Sequence, residues 1–287
     1  MAQSRVVATV VRRHRDGAAQ VTPDELVVEE ALAIRLDGHL VATTMRTPGH
    51  DIELAAGFCF AEGHIGRGDI RAVKYCDGPC GPGETTYNEI NVDTEGRAGP
   101  PESVRVGTTT SSCGACGATD IEALVARLPR LVAPTVVPGA DLVDAVVAAA
   151  AQAAPLFART GAVHGAAAFD LSSAAIEVAR EDIGRHNAVD KVVGRLLFDG
   201  RLPATRLGLY VSGRASFELV QKAWAAGFSV LVAVSGPSSL AVATARAAGL
   251  TLIGFARGDG RMNLYSPDPL IALGGHHRAE PVNGAVT

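Results

Sequence analysis

No run of apolar residues in the chain is long enough to cross a membrane. The longest purely apolar stretch, Ala145–Ala151, falls far short of the roughly 20 residues a spanning helix needs. Excess positive charge is also missing: 26 Lys and Arg against 30 Asp and Glu leave a formal charge of −4 and a pI near 6.1. That excludes a nucleic-acid binder working through bulk positive charge, though not a local basic pocket. Cysteines number only five. Arg12-Arg13 runs on into His14, Arg15 and Asp16, where a secretory or twin-arginine signal would place its apolar region. A cytoplasmic, reducing setting is therefore expected, in which close cysteine pairs read as metal-binding or catalytic before they read as disulfides. Internal repeats and low-complexity tracts are absent. So are a G-x-x-x-x-G-K-[ST] loop and a G-x-G-x-x-G turn after a strand, and common NTPase and Rossmann readings fall with them.

What is present is a globular composition, 47% hydrophobic and 20% charged over 287 residues. At about 150 residues per domain this is roughly two domains of chain. Strand-like segments at Glu30–Leu36 and Leu40–Met45 flank the turn dipeptide Asp37-Gly38 and predict a hairpin. A helix is expected from Asp51 to about Glu62, stopped by Gly63. Short strands follow at Ala72–Cys76, Thr85–Val92 and Val104–Val106, then a polar loop, then a helix Ile121–Leu128 that Thr119 or Asp120 can cap. Pro129, Pro134 and Pro138 punctuate the middle and place a domain boundary there, giving 1–138 and 139–287. Beyond it we expect an Ala-rich helix over Asp141–Arg159 and strands at Ala162–Phe169 and Ala174–Ala179. A helix at Asn187–Leu197 precedes alternating strands and helices. The strands near 209, 232 and 253 are continuous apolar runs, as in a parallel sheet covered by helices on both faces. The fold class is α/β, with a smaller mixed N-terminal domain and a C-terminal domain built on a largely parallel sheet.

Three stretches carry candidate chemistry. Cys113-Gly114-Ala115-Cys116 sets two thiols at turn spacing just before a helix, whose N-terminal partial positive charge favours thiolate. Such a thiolate can attack a persulfide and carry its outer sulfur. The same spacing suits a zinc knuckle, with Cys76 and Cys80 as a second pair, and inert cysteines are a third reading. The charged segment Glu181–Lys191 is either a solvated helix start or a set of groups converging on a ligand. Three loops follow the apolar strands: Ser212–Ser216, Ser235–Ser239 and Arg257–Arg261. Ligands of open α/β sheets bind beyond the carboxyl ends of the strands. Glycines there let backbone approach, helix N-termini present free N–H groups, and Arg214, Arg257 and Arg261 add positive charge. The combination describes an anion site, most naturally for phosphates; ordinary turn chemistry with solvating arginines is the other reading. His164 in its apolar strand and Trp224 in its amphipathic helix read as core residues.

On five blocks in order, the chain resembles the FdhD family, the formate dehydrogenase accessory sulfurtransferases. These are Ser111–Gly117, Thr160–Ala167, Glu181–Lys191, Ser212–Ala223 and Gly254–Gly258, spread over about Ala31 to Ser266. The N-terminal thirty residues and the tail carry no signature. The resemblance implies a cytoplasmic sulfur carrier that takes persulfide sulfur from a cysteine desulfurase. It delivers that sulfur to the molybdenum cofactor, as bis-molybdopterin guanine dinucleotide, before insertion into formate dehydrogenase. The persulfide-bearing residue falls on Cys113 with Cys116 as its partner. The cofactor-binding stretch falls on Phe255, Ala256, Arg257, Gly258, Asp259 and Gly260, to which the anion-site reading adds Arg214 and Ser212. The cofactor is bound cargo, and no resident metal is implied. The resemblance further implies a homodimer and a cytidine-deaminase-like C-terminal domain, without deaminase chemistry: no histidine here has Glu two residues later. Two alternatives are a cofactor chaperone without sulfur chemistry and a zinc protein using both cysteine pairs.

Overall fold

The computed structural model describes residues 4–76, 87–98, 118–132 and 137–267. The chain opens with a two-stranded antiparallel ribbon, β1 (Val6–Arg15) and β2 (Ala18–Val27), that pairs with no other strand among the described residues. Its turn, Asp16-Gly17, has both residues at positive φ, the geometry that matches the twist of a two-residue hairpin. Arg159 ties the ribbon to the rest of the chain through Glu25, at 2.7 Å.

A four-stranded sheet follows, in the order β4-β3-β6-β5. The expected hairpin forms as β3 (Glu30–Leu36) and β4 (His39–Arg46) around Asp37-Gly38. β6 (Glu89–Asp93) adds parallel to β3, and β5 (Ala72–Tyr75) lies antiparallel at the edge. Leu32, Ile34 and Leu36 alternate inward with Ile90 and Val92, the period-two pattern of a sheet buried on one face. α1 (Asp51–Ala61) packs on this sheet and is apolar nearly all round, as suits a helix buried along most of its length, with Ile52 its exposed residue. α2 (Ala118–Arg127) begins before Thr119 and Asp120, so both lie in its first turn rather than at its cap. The predicted strand at 104–106 lies outside the described residues.

The single helix expected over 141–159 is two, α3 (Ala140–Gln152) and α4 (Pro155–Thr160). Pro155 explains the break: it has no N–H to donate and its ring crowds the preceding turn, so it starts a helix instead of continuing one. Next come β7 (His164–Asp170), β8 (Ile176–Asp182), α5 (Arg185–Phe198), β9 (Leu207–Val211), α6 (Phe217–Ala225), β10 (Val230–Ala233), α7 (Ser239–Ala248), β11 (Thr251–Gly254) and β12 (Asn263–Ser266). The strands form a six-stranded sheet ordered β12-β11-β10-β9-β7-β8. β9, β10 and β11 are parallel and wholly buried, while β7, β8 and β12 run antiparallel to their neighbours. The molecule is thus a mixed α/β fold with a parallel centre to its larger sheet.

One face of that sheet packs Val143 and Val146 of α3 against Ala167, Tyr210, Val230, Val232 and Ile253. The other face packs α5, α6 and α7, and its core is continuous with that of the four-stranded sheet through α1. The α1–α5 crossing is close because both helices carry glycine there. A Cβ built at Gly57 meets the carbonyl oxygen of Asp190 at 1.9 Å, and one at Gly194 meets that of Glu53 at 1.9 Å. Polar ties reinforce the junction. Lys191, fully buried, sets Nζ 2.6 Å from Asp182 and donates to the Thr47 carbonyl at 3.0 Å. Lys222 bridges Glu62 and Asp190 at 3.0 and 2.8 Å. Arg180 pairs with Glu53 through both Nε and Nη2.

Candidate functional site

The three parallel strands end side by side, and backbone hydrogen bonds lace the loops that follow them into one rim. Ser235 N–H donates to the Gly213 carbonyl at 3.2 Å and Ser238 N–H to that of Ala215 at 3.1 Å. Phe255 N–H donates to the Ser235 carbonyl at 3.3 Å. β7 is antiparallel, so its first residues reach the same rim, where Ser212 and Gly165 exchange N–H to O bonds at 2.9 Å. The expected meeting of Ser212–Ser216, Ser235–Ser239 and the β11 loop is therefore what the backbone adopts. Two helix N-termini point at it. Ser238 caps α7 with its own hydroxyl, accepting from Ala241 N–H at 3.2 Å. Ser216 at the start of α6 makes no such capping bond; its hydroxyl lies 3.5 Å from His186 Nε2.

The β11 loop has an unusual backbone. Phe255, a bulky residue, sits at φ 55°, in the left-handed region where a Cβ is crowded. Its ring is partly exposed, lies over Gly236, and carries the Arg257 guanidinium 5.7 Å from its centre. Strain of this kind is kept where surrounding structure imposes it, and it clusters at functional sites. Gly258 and Gly260 also take positive φ, and Gly260 N–H is anchored to Asp144 of α3 at 2.8 Å. Ala256 is buried behind the loop, and the Ser212 hydroxyl is taken up by Gly165 N–H, so neither side chain faces outward freely. Arg214 and Arg257 stand exposed on the rim. Arg261 does not add a free charge as its sequence position implies, because Asp259 pairs with it.

The charged segment Glu181–Lys191 divides into two jobs. Glu181 accepts from Leu156 and Phe157 N–H at 3.0 and 2.7 Å and so holds the start of α4. Asp182, Asn187, Asp190 and Lys191 are buried in the junction between the sheets. Arg185 and His186 instead face the rim at the start of α5, with His186 Nε2 2.7 Å from Glu218. Charge density in the sequence does not separate these jobs; the helical position does. His164 is also displaced from its expected place in the core: it is half-buried at the rim, with its ring beside Gly213. Burial first, then Arg185 and His186, hold its imidazole below the usual histidine range against the opposing pull of Asp182. Trp224 is core, with Nε1 donating to the Pro129 carbonyl at 2.8 Å.

Cys113 and Cys116 lie outside the described residues, as does Cys80. Of the cysteines that are described, Cys76 follows β5 and is half-buried, and Cys59 is buried in α1. Burial, with the Asp190 and Glu62 carboxylates, pushes the Cys59 thiol up to about 12, which removes it as a thiolate nucleophile.

The sequence profile of the FdhD/NarQ family matches residues 27–271, a span that takes in all five blocks. The chain belongs to the FdhD/NarQ family. The sulfur carrier protein FdhD of Streptomyces avermitilis is 48% identical to it over 268 residues, covering 92% of this chain and 94% of that one. Its counterpart from Mycobacterium tuberculosis is 46% identical over 271 residues, covering 90% and 97%. The crystal structure of a Desulfotalea psychrophila protein, described as a formate dehydrogenase accessory protein, matches the fold at a TM-score of 0.71. That match has 25% identity and covers 92% of this chain and 99% of that one. The FdhD/NarQ span omits nearly all of the β1–β2 ribbon, in keeping with the lack of any signature there. No helix among the described residues is long and apolar enough to cross a membrane.

Proposed function

We propose that this FdhD/NarQ-family protein is a cytoplasmic sulfurtransferase, a sulfur carrier acting between a cysteine desulfurase and formate dehydrogenase. The Cys113 thiolate attacks the outer sulfur of the desulfurase persulfide. The S–S bond breaks, the desulfurase thiolate leaves, and Cys113 holds the sulfur as its own persulfide. The Cys116 thiolate then attacks the inner sulfur, a Cys113–Cys116 disulfide forms, and hydrosulfide leaves toward the molybdenum of a bis-molybdopterin guanine dinucleotide held as cargo. A thiol reductant restores the pair. A homodimer is the assembly that goes with this reading.

The single observation that carries the cargo half is the laced rim of three parallel strand ends. Phe255 offers a partly exposed aromatic face there, and Arg214 and Arg257 stand on it as exposed cations. A guanine dinucleotide has an aromatic base and a pyrophosphate, the two chemistries such a rim accepts. The sulfur half is supported by the name shared by relatives 46–48% identical and by the Cys113-x-x-Cys116 spacing within the family span. Formate dehydrogenase maturation tests the whole: Cys113→Ala abolishes it, since within the sequence stretch 111–117 only Cys116 offers another thiolate. Normal maturation by that variant removes the assignment.

A further inference from the structure

The chain neutralises these buried and half-buried cations with care: Arg46 has Asp51 and Glu30, Lys191 has Asp182, Lys222 has Glu62 and Asp190, and Arg180 has Glu53. At the β7–β9 corner of the rim this practice stops. Arg185 opens α5 half-buried and Arg214 follows β9. Among the described residues neither closes an ion pair or a side-chain hydrogen bond. Arg185 Nε is shut off from solvent with no acceptor. Burial and the charge of Arg214 together weigh against the Arg185 cation, and only Glu218 opposes them. Glu218 in turn is held by His186 at 2.7 Å. The floor between the two arginines is Gly213. A Cβ there would lie 3.5 Å from His164 Nδ1 and 3.9 Å from Arg185 Cδ, so both side chains border one space above a bare backbone.

Two neighbouring arginines that close no ion pair among the described residues, one with an unmet buried donor, are the receiving half of a charge-assisted contact. The forked donors of arginine match phosphate oxygens, and the N-termini of α5 and α6 face the same corner with their positive ends. We propose that Arg185, Arg214 and His164 form a phosphate subsite that takes one phosphate group of the bound guanine nucleotide. The identity of the nucleotide rests on the reading above. The subsite adds Arg185 and His164 to that reading, and as a phosphate clamp it stands without it.

Calorimetric titration of the full chain with inorganic pyrophosphate, and separately with GDP, tests this on wild type, Arg185→Gln, Arg185→Lys and Arg214→Gln. Pyrophosphate binds the wild type and weakens about tenfold or more in both glutamine variants. Arg185→Lys falls between, because it keeps the charge and loses the fork. GDP weakens by a similar factor. Pyrophosphate binding that is lost in the variants, with no GDP binding to the wild type, keeps the subsite and refutes the nucleotide. GDP that binds wild type and Arg185→Gln alike keeps the nucleotide and overturns the subsite. Unchanged affinity for both anions in Arg185→Gln, or no binding of either to the wild type, also overturns it. Arg214 is exposed, so Arg214→Gln carries the test if Arg185→Gln does not fold.

Discussion

Replacing Lys191 with Met keeps the length of the side chain and removes its charge. Lys191 and Asp182 have no exposed side-chain surface, and Nζ lies 2.6 Å from the carboxylate. The ammonium also donates to the Thr47 carbonyl at 3.0 Å and thereby holds the chain after β4 to the start of α5. Burial first, and then the charge of Arg5, drives this lysine below its ordinary range, and Asp182 is the main group that opposes them. Removing one member of such a pair leaves a buried charge uncompensated, which costs about 3–5 kcal/mol. Asp182 retains Thr47 N–H at 3.1 Å, Gly184 N–H at 2.8 Å and Asn187 Nδ2 at 3.0 Å, so the lower end of that range is expected. At about 2 °C per kcal/mol for a chain of this size, the unfolding midpoint falls by roughly 6 °C. Urea unfolding and calorimetry measure it. Asp182→Asn in the same background costs less than the sum of the single changes, by about 1 kcal/mol or more, since the two groups share one interaction. A loss below about 1 kcal/mol for Lys191→Met, or additive costs in the double variant, refutes the junction as the support of the α5 start.

Gly57→Ala places a methyl 1.9 Å from the Asp190 carbonyl oxygen and forces α1 off α5, so thermal unfolding drops by the ~1–3 kcal/mol typical of overpacking or more; an unchanged midpoint contradicts the close crossing. Arg214→Ala weakens GDP binding about tenfold, equal to about 1.4 kcal/mol, and wild-type affinity by calorimetry removes that loop from the site. His50 and His164 are both held below the usual histidine range, first by burial and then by neighbouring arginines. The folded state therefore binds fewer protons than the unfolded one near the ordinary histidine value. The stability these neutral imidazoles give is present above about pH 6.5 and is lost as pH falls through their folded values. Denaturation followed from about pH 7.5 to 5 shows a decline that is smaller in His164→Gln, and an identical pH slope in that variant contradicts the assignment.

The strands of both sheets were legible because their signals are local. Asp37-Gly38 between two apolar segments names a hairpin, and apolar runs at β9, β10 and β11 name a buried parallel sheet. The rim was legible for the same reason, as loops after parallel strands share one edge of the sheet. The β1–β2 ribbon was not, because Val7, Val10, Val21 and Leu26 are largely exposed and give no core-facing alternation. The helix break at Ala153–Ala154 was hidden by alanines that suit a helix on either side, although Pro155 was its signal. Arg185 went unassigned because its neighbours Asp182, Asn187, Asp190 and Lys191 are equally polar and serve the junction. Only their direction from the helix tells them apart.

The central claim is that Cys113 carries sulfur, and mass spectrometry of the intact chain and its peptides after mixing with a cysteine desulfurase and cysteine tests it most directly. Cys59, buried with its thiol pushed up to about 12, stays unmodified in the folded chain and does not interfere. The wild type gains one sulfur atom on the peptide that contains Cys113, the gain is removed by a thiol reductant, and Cys113→Ala shows none. A wild-type chain that gains no sulfur, or a Cys113→Ala chain that gains it as fully, contradicts the account.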